Sequence, residues 1–278
     1  MTHNNQKKIA VISDMSGFGR CSMTVSLPII SHMKVQCCPV PTSIFSNHSG
    51  FPEYYMDDYT EHIEPYVAMW KKLNLEFEGI YTGFLGSMQQ IAIVRKFIQD
   101  FRTTRTTVIV DPVMGDDGSI YSSCTDSMCQ QMKELVRMAD IITPNITEAC
   151  HLTGRSYKAQ GWKLEQLHTI AQELSELGPK KVIITGIKTD KSVANYIYDS
   201  EPGETQLIRS RIVGTTRCGT GDIFSSIISA DAVNGVPLTK SVRKASAFVR
   251  KCIAASVAME IPESDGVCFE EVLGQLKV

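Results

Sequence analysis

Short apolar runs bounded by Gly, Pro or Asp alternate with stretches of helical period along most of this chain. That alternation limits the folds open to it. The strand candidates are residues 8–13, 35–40, 79–82, 107–111, 140–143 and 181–185. Continuous apolar runs of this length suit parallel strands buried on both faces. Between them, residues 22–33, 56–75, 88–101, 125–138 and 164–177 carry apolar side chains at helical spacing. The pattern predicts a parallel sheet with helices on both faces. After Thr185 the rhythm changes. Residues 193–198 and 205–213 read as two strands in succession, which predicts an antiparallel edge, and two long helical segments follow at 222–233 and 238–259. No Pro-, Gly- or Ser-rich linker interrupts the chain and no repeat is visible. One domain over residues 1–278 is therefore expected, with ample length for a core.

Charge and composition narrow the function. The formal net charge is −2, which gives no electrostatic reason to expect nucleic acid or an anionic membrane as partner. No apolar run approaches the roughly 18 residues of a membrane span. Lys7-Lys8 followed by Ile9 to Ile12 resembles the start of a secretory signal, but Asp14 interrupts the run, so a first strand is expected there. The nine cysteines include no Cys-x-x-Cys pair. They read as thiols used as small core residues in a reducing compartment, hence a cytoplasmic chain. A strand would point the adjacent Cys37 and Cys38 to opposite faces. The six histidines are scattered without an i, i+4 pair, so no transition-metal site is expected.

Polar residues recur at the carboxyl ends of the expected strands: Ser13-Asp14, Thr42-Ser43, Thr82-Gly83, Asp111, Thr143 to Asn145, and Thr185-Gly186. In a parallel sheet, ligands bind outside those ends. Cys218-Gly219-Thr220-Gly221-Asp222 opens an apolar helix. Two glycines permit close backbone approach, and the free N–H groups of a helix start attract an anion. A tight turn with an acid in the first helical turn accounts for the same residues. As chemistry, Asp222 beside an anion hole could take a proton from a substrate hydroxyl while the amides hold phosphoryl oxygens. Asp111-Pro112-Val113-Met114-Gly115-Asp116 is either strand-end turn chemistry or a pair of acids organising Mg²⁺ and phosphate-bound waters. Asn145 and Glu148, three apart, would share one helix face, although capping alone explains Asn145. The stretch from Phe45 to Phe51 is polar between aromatics, a loop or a pocket for a flat polar ring. The most loop-like stretch is residues 115–119.

In this order and at these separations, Asp111 to Asp116, Asn145 to Glu148 and Gly219 to Asp222 resemble the ribokinase superfamily of small-molecule kinases. Phe45 to Gly50, Ser13 and Thr82-Gly83-Phe84 narrow the likeness to the pyridoxal kinases, over about residues 9–259. The resemblance implies a three-layer α/β/α sandwich without a separate lid domain, and ATP-dependent phosphorylation of pyridoxal, pyridoxine and pyridoxamine at the 5′-hydroxyl. It implies Asp222 as catalytic base and Gly219, Thr220 and Gly221 as the anion hole. Asp116 and Glu148 would act on Mg²⁺, mostly through water. Asp111 and Thr143 would serve the nucleotide phosphates and an activating monovalent cation, K⁺ or Na⁺. Asn145, Thr185, Gly186 and Lys188 would face the nucleotide. Ser13 would bond the pyridine nitrogen, Phe45 and Phe84 would flank the ring, and Ser49 would touch a ring substituent. Residues 116–121 would form a flap, and the assembly would be a homodimer. Position 84 is Phe where Tyr is common, and position 49 is Ser where Thr is common. Cys218 before the anion hole is unusual, and no role is assigned to it.

Four rivals are weighed against this. A hydroxymethylpyrimidine kinase shares the scaffold but commonly carries Cys where this chain has Asp222. A Rossmann dehydrogenase is suggested by Gly17-Phe18-Gly19, yet Ser22 replaces the third small residue and no acid lies between Asp14 and Glu53 to hold a ribose. A P-loop NTPase is excluded because no Gly-Lys dipeptide occurs. A non-catalytic nucleotide-binding regulator is set against the retention of every expected polar group.

Overall fold

The first apolar run becomes a central strand. β1 (Lys8–Phe18) pairs in parallel with β2 (Gln36–Asn47) on one side and β4 (Gly79–Thr82) on the other. The structure is a computed structural model describing residues 5–122, 124–189 and 191–278. Beyond β4 the sheet continues in parallel through β5 (Thr107–Val110), β8 (Ile141–Ile142) and β9 (Lys181–Lys188). β10 (Ser192–Asp199) and β11 (Glu204–Arg211) then add an antiparallel edge, as the change of rhythm predicts. The other edge is antiparallel too: β3 (Met56–Asp58) pairs with Ser43 to Phe45 of β2. The order is β11-β10-β9-β8-β5-β4-β1-β2-β3. A separate small hairpin joins β6 (Gly115–Asp116) to β7 (Ser119–Ile120).

Strand alternation divides the core in two. Ala10, Ile12 and Cys38 face α2 (Thr60–Lys72), α3 (Met88–Phe101), α4 (Asp126–Val136), α5 (Ile146–Thr153) and α6 (Leu164–Glu176). Ile9, Val11 and Cys37 face α1 (Met23–His32), α7 (Thr220–Asn234) and α8 (Leu238–Ala258). This is a three-layer α/β/α sandwich. Among the described residues no helix is long and apolar enough to cross a membrane.

Two expectations are corrected. The helix expected from residue 56 starts at Thr60, because Asp58 Oδ1 accepts the Thr60 N–H at 3.0 Å and turns the chain there, leaving Met56 to Asp58 extended along β2. The stretch from Phe45 to Asn47 is strand rather than loop, since β1 and β2 run on together past their apolar segments and pair Ser16 with Phe45 and Phe18 with Asn47.

The chain steps from β1 to β2 on one side, then returns to place β4 on the other. Since α1 and α2 cover opposite faces, a crevice opens at the carboxyl ends of β1 and β4.

Candidate active site

The Gly219 turn meets this crevice from the start of α7. Gly219 adopts φ 86°, and a Cβ there would stand 2.1 Å from the Arg20 carbonyl oxygen, so only glycine fits. Asp222 sits in the first turn of α7, and its Oδ2 accepts the Ser22 N–H at 2.7 Å. The carboxylate is only partly exposed, and burial pushes its pKa up to about 6; the Ser22 amide opposes that rise and the negative charge of Asp14 adds to it. Cys218, just before the turn, lies near the Cys21 thiol and, with burial, pushes its pKa up.

Two further carboxylates lie deeper. Asp111 follows β5, and its Oδ2 accepts the Ser225 hydroxyl at 3.0 Å; Ser225 in turn lies 2.9 Å from Thr143 Oγ1. Burial raises the Asp111 pKa, and the charge of Asp222 raises it further. Glu148 is nearly fully buried. Its Oε1 accepts the Met114 N–H at 3.0 Å and its Oε2 the Asn145 N–H at 2.8 Å. Asn145 Oδ1 accepts the Glu148 N–H at 2.9 Å, so the pair forms a reciprocal cap at the start of α5. Burial lifts the Glu148 pKa well above the usual carboxylate range, with Asp111 and Asp116 adding to the effect.

The stretch at 115–119 is an ordered hairpin. Asp117 (φ 48°) and Gly118 (φ 84°) supply the two positive φ angles of a two-residue turn. Asn145 Nδ2 donates to the Gly115 carbonyl at 2.7 Å, and the Gly118 N–H donates to Thr147 Oγ1 at 2.9 Å. Asp116 is exposed on the hairpin, and Lys188 at the end of β9 pairs with Asp117 at 2.5 Å. Thr185 and Gly186 lie beside this group, with the Thr185 N–H on the Pro144 carbonyl at 2.8 Å and Thr185 bridged to Asn145.

The crevice's other wall is aromatic. Ser13 Oγ, at the end of the apolar part of β1, accepts the Phe84 N–H at 3.2 Å. Phe45 is buried edge-on to Phe84 with ring centroids 6.4 Å apart, and Tyr54 lies 5.7 Å beyond it. The hydroxyls of Ser43 and Thr82 are buried and have no hydrogen-bond partner among the described residues. Ser49 stands exposed in the turn beyond β2 and makes no hydrogen bond among the described residues.

The phosphomethylpyrimidine kinase family model matches residues 29–265, which take in Phe45, Phe84, Asp111, Glu148 and the Gly219 turn with Asp222 but not β1 and its Ser13. The chain belongs to the phosphomethylpyrimidine kinase family. It is 26% identical over 261 residues to a pyridoxine/pyridoxal/pyridoxamine kinase of Bordetella avium, covering 86% of this chain and 82% of that protein. Among solved structures it resembles a candidate phosphomethylpyrimidine kinase of Bacteroides thetaiotaomicron determined with pyridoxal (37% identity, TM-score 0.95, 99% of this chain and 96% of that one). It also resembles the pyridoxal kinase of Lactobacillus plantarum (25% identity, TM-score 0.89, 97% and 96%). The fold is therefore ribokinase-like, and the chain is a kinase of this family.

For a kinase of this family, sequence reasoning located the strand ends and missed what holds them. Ser225, which ties Asp111 to Thr143, lies one turn beyond Asp222 on α7, a spacing that places it on the same helix face. Thr147, which fastens the hairpin, sits between Asn145 and Glu148. The Ser22 amide on Asp222 leaves no trace in side-chain identity. No group of three or more His, Cys, Asp and Glu side chains among the described residues is arranged to hold a metal.

Proposed function

We propose that this chain transfers the γ-phosphoryl group of ATP to the 5′-hydroxyl of pyridoxal, pyridoxine or pyridoxamine. The observation that carries the reading is one crevice with two walls. A partly exposed carboxylate above a glycine turn, and Ser13, Phe45 and Phe84 grouped near the ends of β1, β2 and β4, stand on a scaffold closely superposable on a structure holding pyridoxal. Asp222 takes the proton of the 5′-hydroxyl as that oxygen bonds to phosphorus, and the amides of Gly219, Thr220 and Gly221 hold the phosphoryl oxygens. With ADP as leaving group, no covalent enzyme intermediate is needed, and catalysis is mainly positioning and charge stabilisation. The Ser13 hydroxyl turns to the pyridine nitrogen, while Phe45 and Phe84 confine the ring.

The donor set suits cations. Asp111, Asp116 and Glu148 are acids whose protons burial favours in the free protein and a bound cation would displace, and the basic Lys188 is already paired with Asp117. Asp116 and Glu148 would hold Mg²⁺ through its waters, and the ion would neutralise charge on the transferring phosphate. Asp111 and Thr143 would serve the nucleotide phosphates and a K⁺ or Na⁺ ion. Asn145, Thr185, Gly186 and Lys188 form the nucleotide side. The hairpin at Asp116, with Tyr121 after it, closes as the flap that excludes water.

A hydroxymethylpyrimidine kinase is the second reading, favoured by the family model that the chain matches. Asp222 in place of the cysteine common in that branch weighs against it. An ADP-release assay with each vitamer and with hydroxymethylpyrimidine separates the two. Equal or greater turnover of the pyrimidine overturns the B6 assignment, and no turnover of any of them leaves a non-catalytic nucleotide binder.

A further inference from the structure

The segment between β1 and α1 is strained, and the proposed chemistry gives it no part. Arg20 has φ 34° and Ser22 has φ 55° with ψ −132°, angles that non-glycine residues rarely adopt. Such a backbone persists only where its surroundings impose it, and it gathers at functional sites. Here the surroundings belong to the proposed catalytic turn. The Arg20 carbonyl presses on Gly219, Ser22 bridges to Met15 of β1, and the Ser22 N–H binds Asp222 Oδ2.

Ser22 precedes α1, where a serine ordinarily caps the helix with its hydroxyl. It makes no such cap; its side chain instead lies near Asp14, whose charged form it favours. Asp14 is only 4% exposed, and its carboxylate accepts the hydroxyls of Ser16 at 3.2 Å and Ser13 at 3.4 Å. It lies at an irregularity of the β1/β2 pairing, where Thr42 and Ser43 together oppose it. Irregularities of this kind re-aim a side chain beside a site.

We propose that Asp14 and Ser22 are positioning residues for phosphoryl transfer: Asp14 fixes the Ser22 turn, the Ser22 amide occupies one oxygen of Asp222, and the other oxygen is thereby aimed at the substrate hydroxyl. The inference rests on Asp222 acting as the base. A carboxylate free to rotate presents either oxygen in many orientations. A 2.7 Å charge-assisted bond to one oxygen fixes the plane of the group. Small misplacements of a reacting group cost much of the rate. Glycine would accept the backbone angles, but it would lack the hydroxyl that reaches Asp14.

The test is steady-state kinetics of the full chain with pyridoxal and ATP, on Ser22→Ala, Asp14→Ala, Asp14→Asn and Asp222→Asn. Ser22→Ala and Asp14→Ala should lower kcat by about 10- to 100-fold, with both KM values within about threefold. Asp14→Asn keeps an acceptor for the Ser22 hydroxyl and should recover most of that loss. It should also move the acid limb of kcat to lower pH, because it removes one of the groups facing Asp222; the others are Cys21 before α1, Tyr81 on β4 and Asp111 after β5. If Asp14→Ala fails to fold, Ser22→Gly carries the test, since it accepts the φ angle and should still lose kcat. If Asp222→Asn keeps its rate, the general-base reading falls. If Asp222→Asn loses its rate while the Ser22 and Asp14 variants stay within about threefold of wild-type kcat, this inference alone falls. It falls as well if Asp14→Asn is no better than Asp14→Ala and leaves the acid limb in place.

Discussion

On the phosphate wall of the crevice, Asp111, Glu148 and Asp222 each receive hydrogen bonds of 2.7–3.0 Å from the Ser225 hydroxyl or from backbone amides. On the ring wall, Ser13, Phe45 and Phe84 meet through ring edges and one 3.2 Å bond, and Ser49 stands apart in solvent. The first wall is built before any ligand arrives; the second is a shape with few fixed donors. Charge stabilisation needs dipoles already in place, because reorganising them during the reaction costs rate. Ring recognition needs only apolar confinement and a few polar contacts. On the proposed function, the phosphate wall would carry the chemistry and the ring wall would decide the substrate, where a few contacts would distinguish one heteroaromatic alcohol from another.

The largest expected effect falls on the phosphate wall. Asp222→Asn keeps the shape and position of the side chain at the start of α7, so the fold should survive. Removing a general base typically lowers kcat by about 10²- to 10⁴-fold. Affinities for ATP and pyridoxal, measured by calorimetry, should change by only about a few fold, because the anion-hole donors are backbone groups. Retention of more than about a tenth of wild-type kcat would remove Asp222 from the role. The wild-type enzyme should lose kcat below about pH 6, where Asp222 becomes protonated and cannot accept a proton. That limb should be missing from the residual activity of Asp222→Asn.

Next in size is the cation requirement. Asp116 is exposed on the hairpin, its Oδ1 accepting the neighbouring Asp117 N–H at 2.8 Å. Asp116→Ala should raise the Mg²⁺ concentration for half-maximal rate by roughly 10-fold or more, with little change at saturating Mg²⁺. Undiminished turnover of the wild type in excess chelator would refute the metal reading outright.

The buried acids of the phosphate wall also predict a penalty in stability. Asp111 binds its proton more tightly when folded than when unfolded. Between the ordinary carboxylate value and about pH 7 the folded state therefore holds more protons, and stability falls as pH rises through that window. Asp111→Asn removes the penalty. Its melting temperature at pH 8, without nucleotide or Mg²⁺, should exceed wild type by about 2–4 °C for each kcal/mol recovered. The gain should vanish near pH 4. A lower melting temperature at pH 8 would mean that the bond to Ser225 outweighs the desolvation of the carboxylate.

The same contrast governs what was legible in the sequence. Strand ends bearing Asp111, Thr143 and Thr185 could be read because buried parallel strands leave continuous apolar runs that stop abruptly. The Asp117-Gly118 turn could be read as a break, but its pairing into a hairpin depends on Thr147 and Asn145, which lie far along the chain. Met56 to Asp58 looked helical because their apolar spacing continues into α2; the unpaired edge of β2, which claims them as a strand, is a tertiary fact. The Ser22 amide was invisible for a deeper reason. Every residue but proline carries an N–H group, so a backbone contact writes nothing into residue type. Asp14 was named only as a strand-end residue, because the hydroxyls around it are assembled by the β1/β2 pairing.

The smallest expected effect tests the ring wall. Ser13 is to donate its hydroxyl proton to the pyridine nitrogen, and a neutral hydrogen bond contributes roughly 0.5–1.5 kcal/mol. In the free protein that hydroxyl donates to Asp14 Oδ1 over a long 3.4 Å, so turning to the ligand gives up little. It also accepts the Phe84 N–H at 3.2 Å, and this bond can persist while the proton turns to the ring. Ser13→Ala thus loses the ligand contact and leaves the Phe84 amide without its partner, two small costs in the same direction. The KM for pyridoxal should rise about 2- to 13-fold. The KM for ATP should stay put, because no contact of Ser13 reaches Asp111, Glu148 or the Gly219 turn directly. A shift in the ATP value instead would place Ser13 on the wrong wall and dissolve the distinction between them.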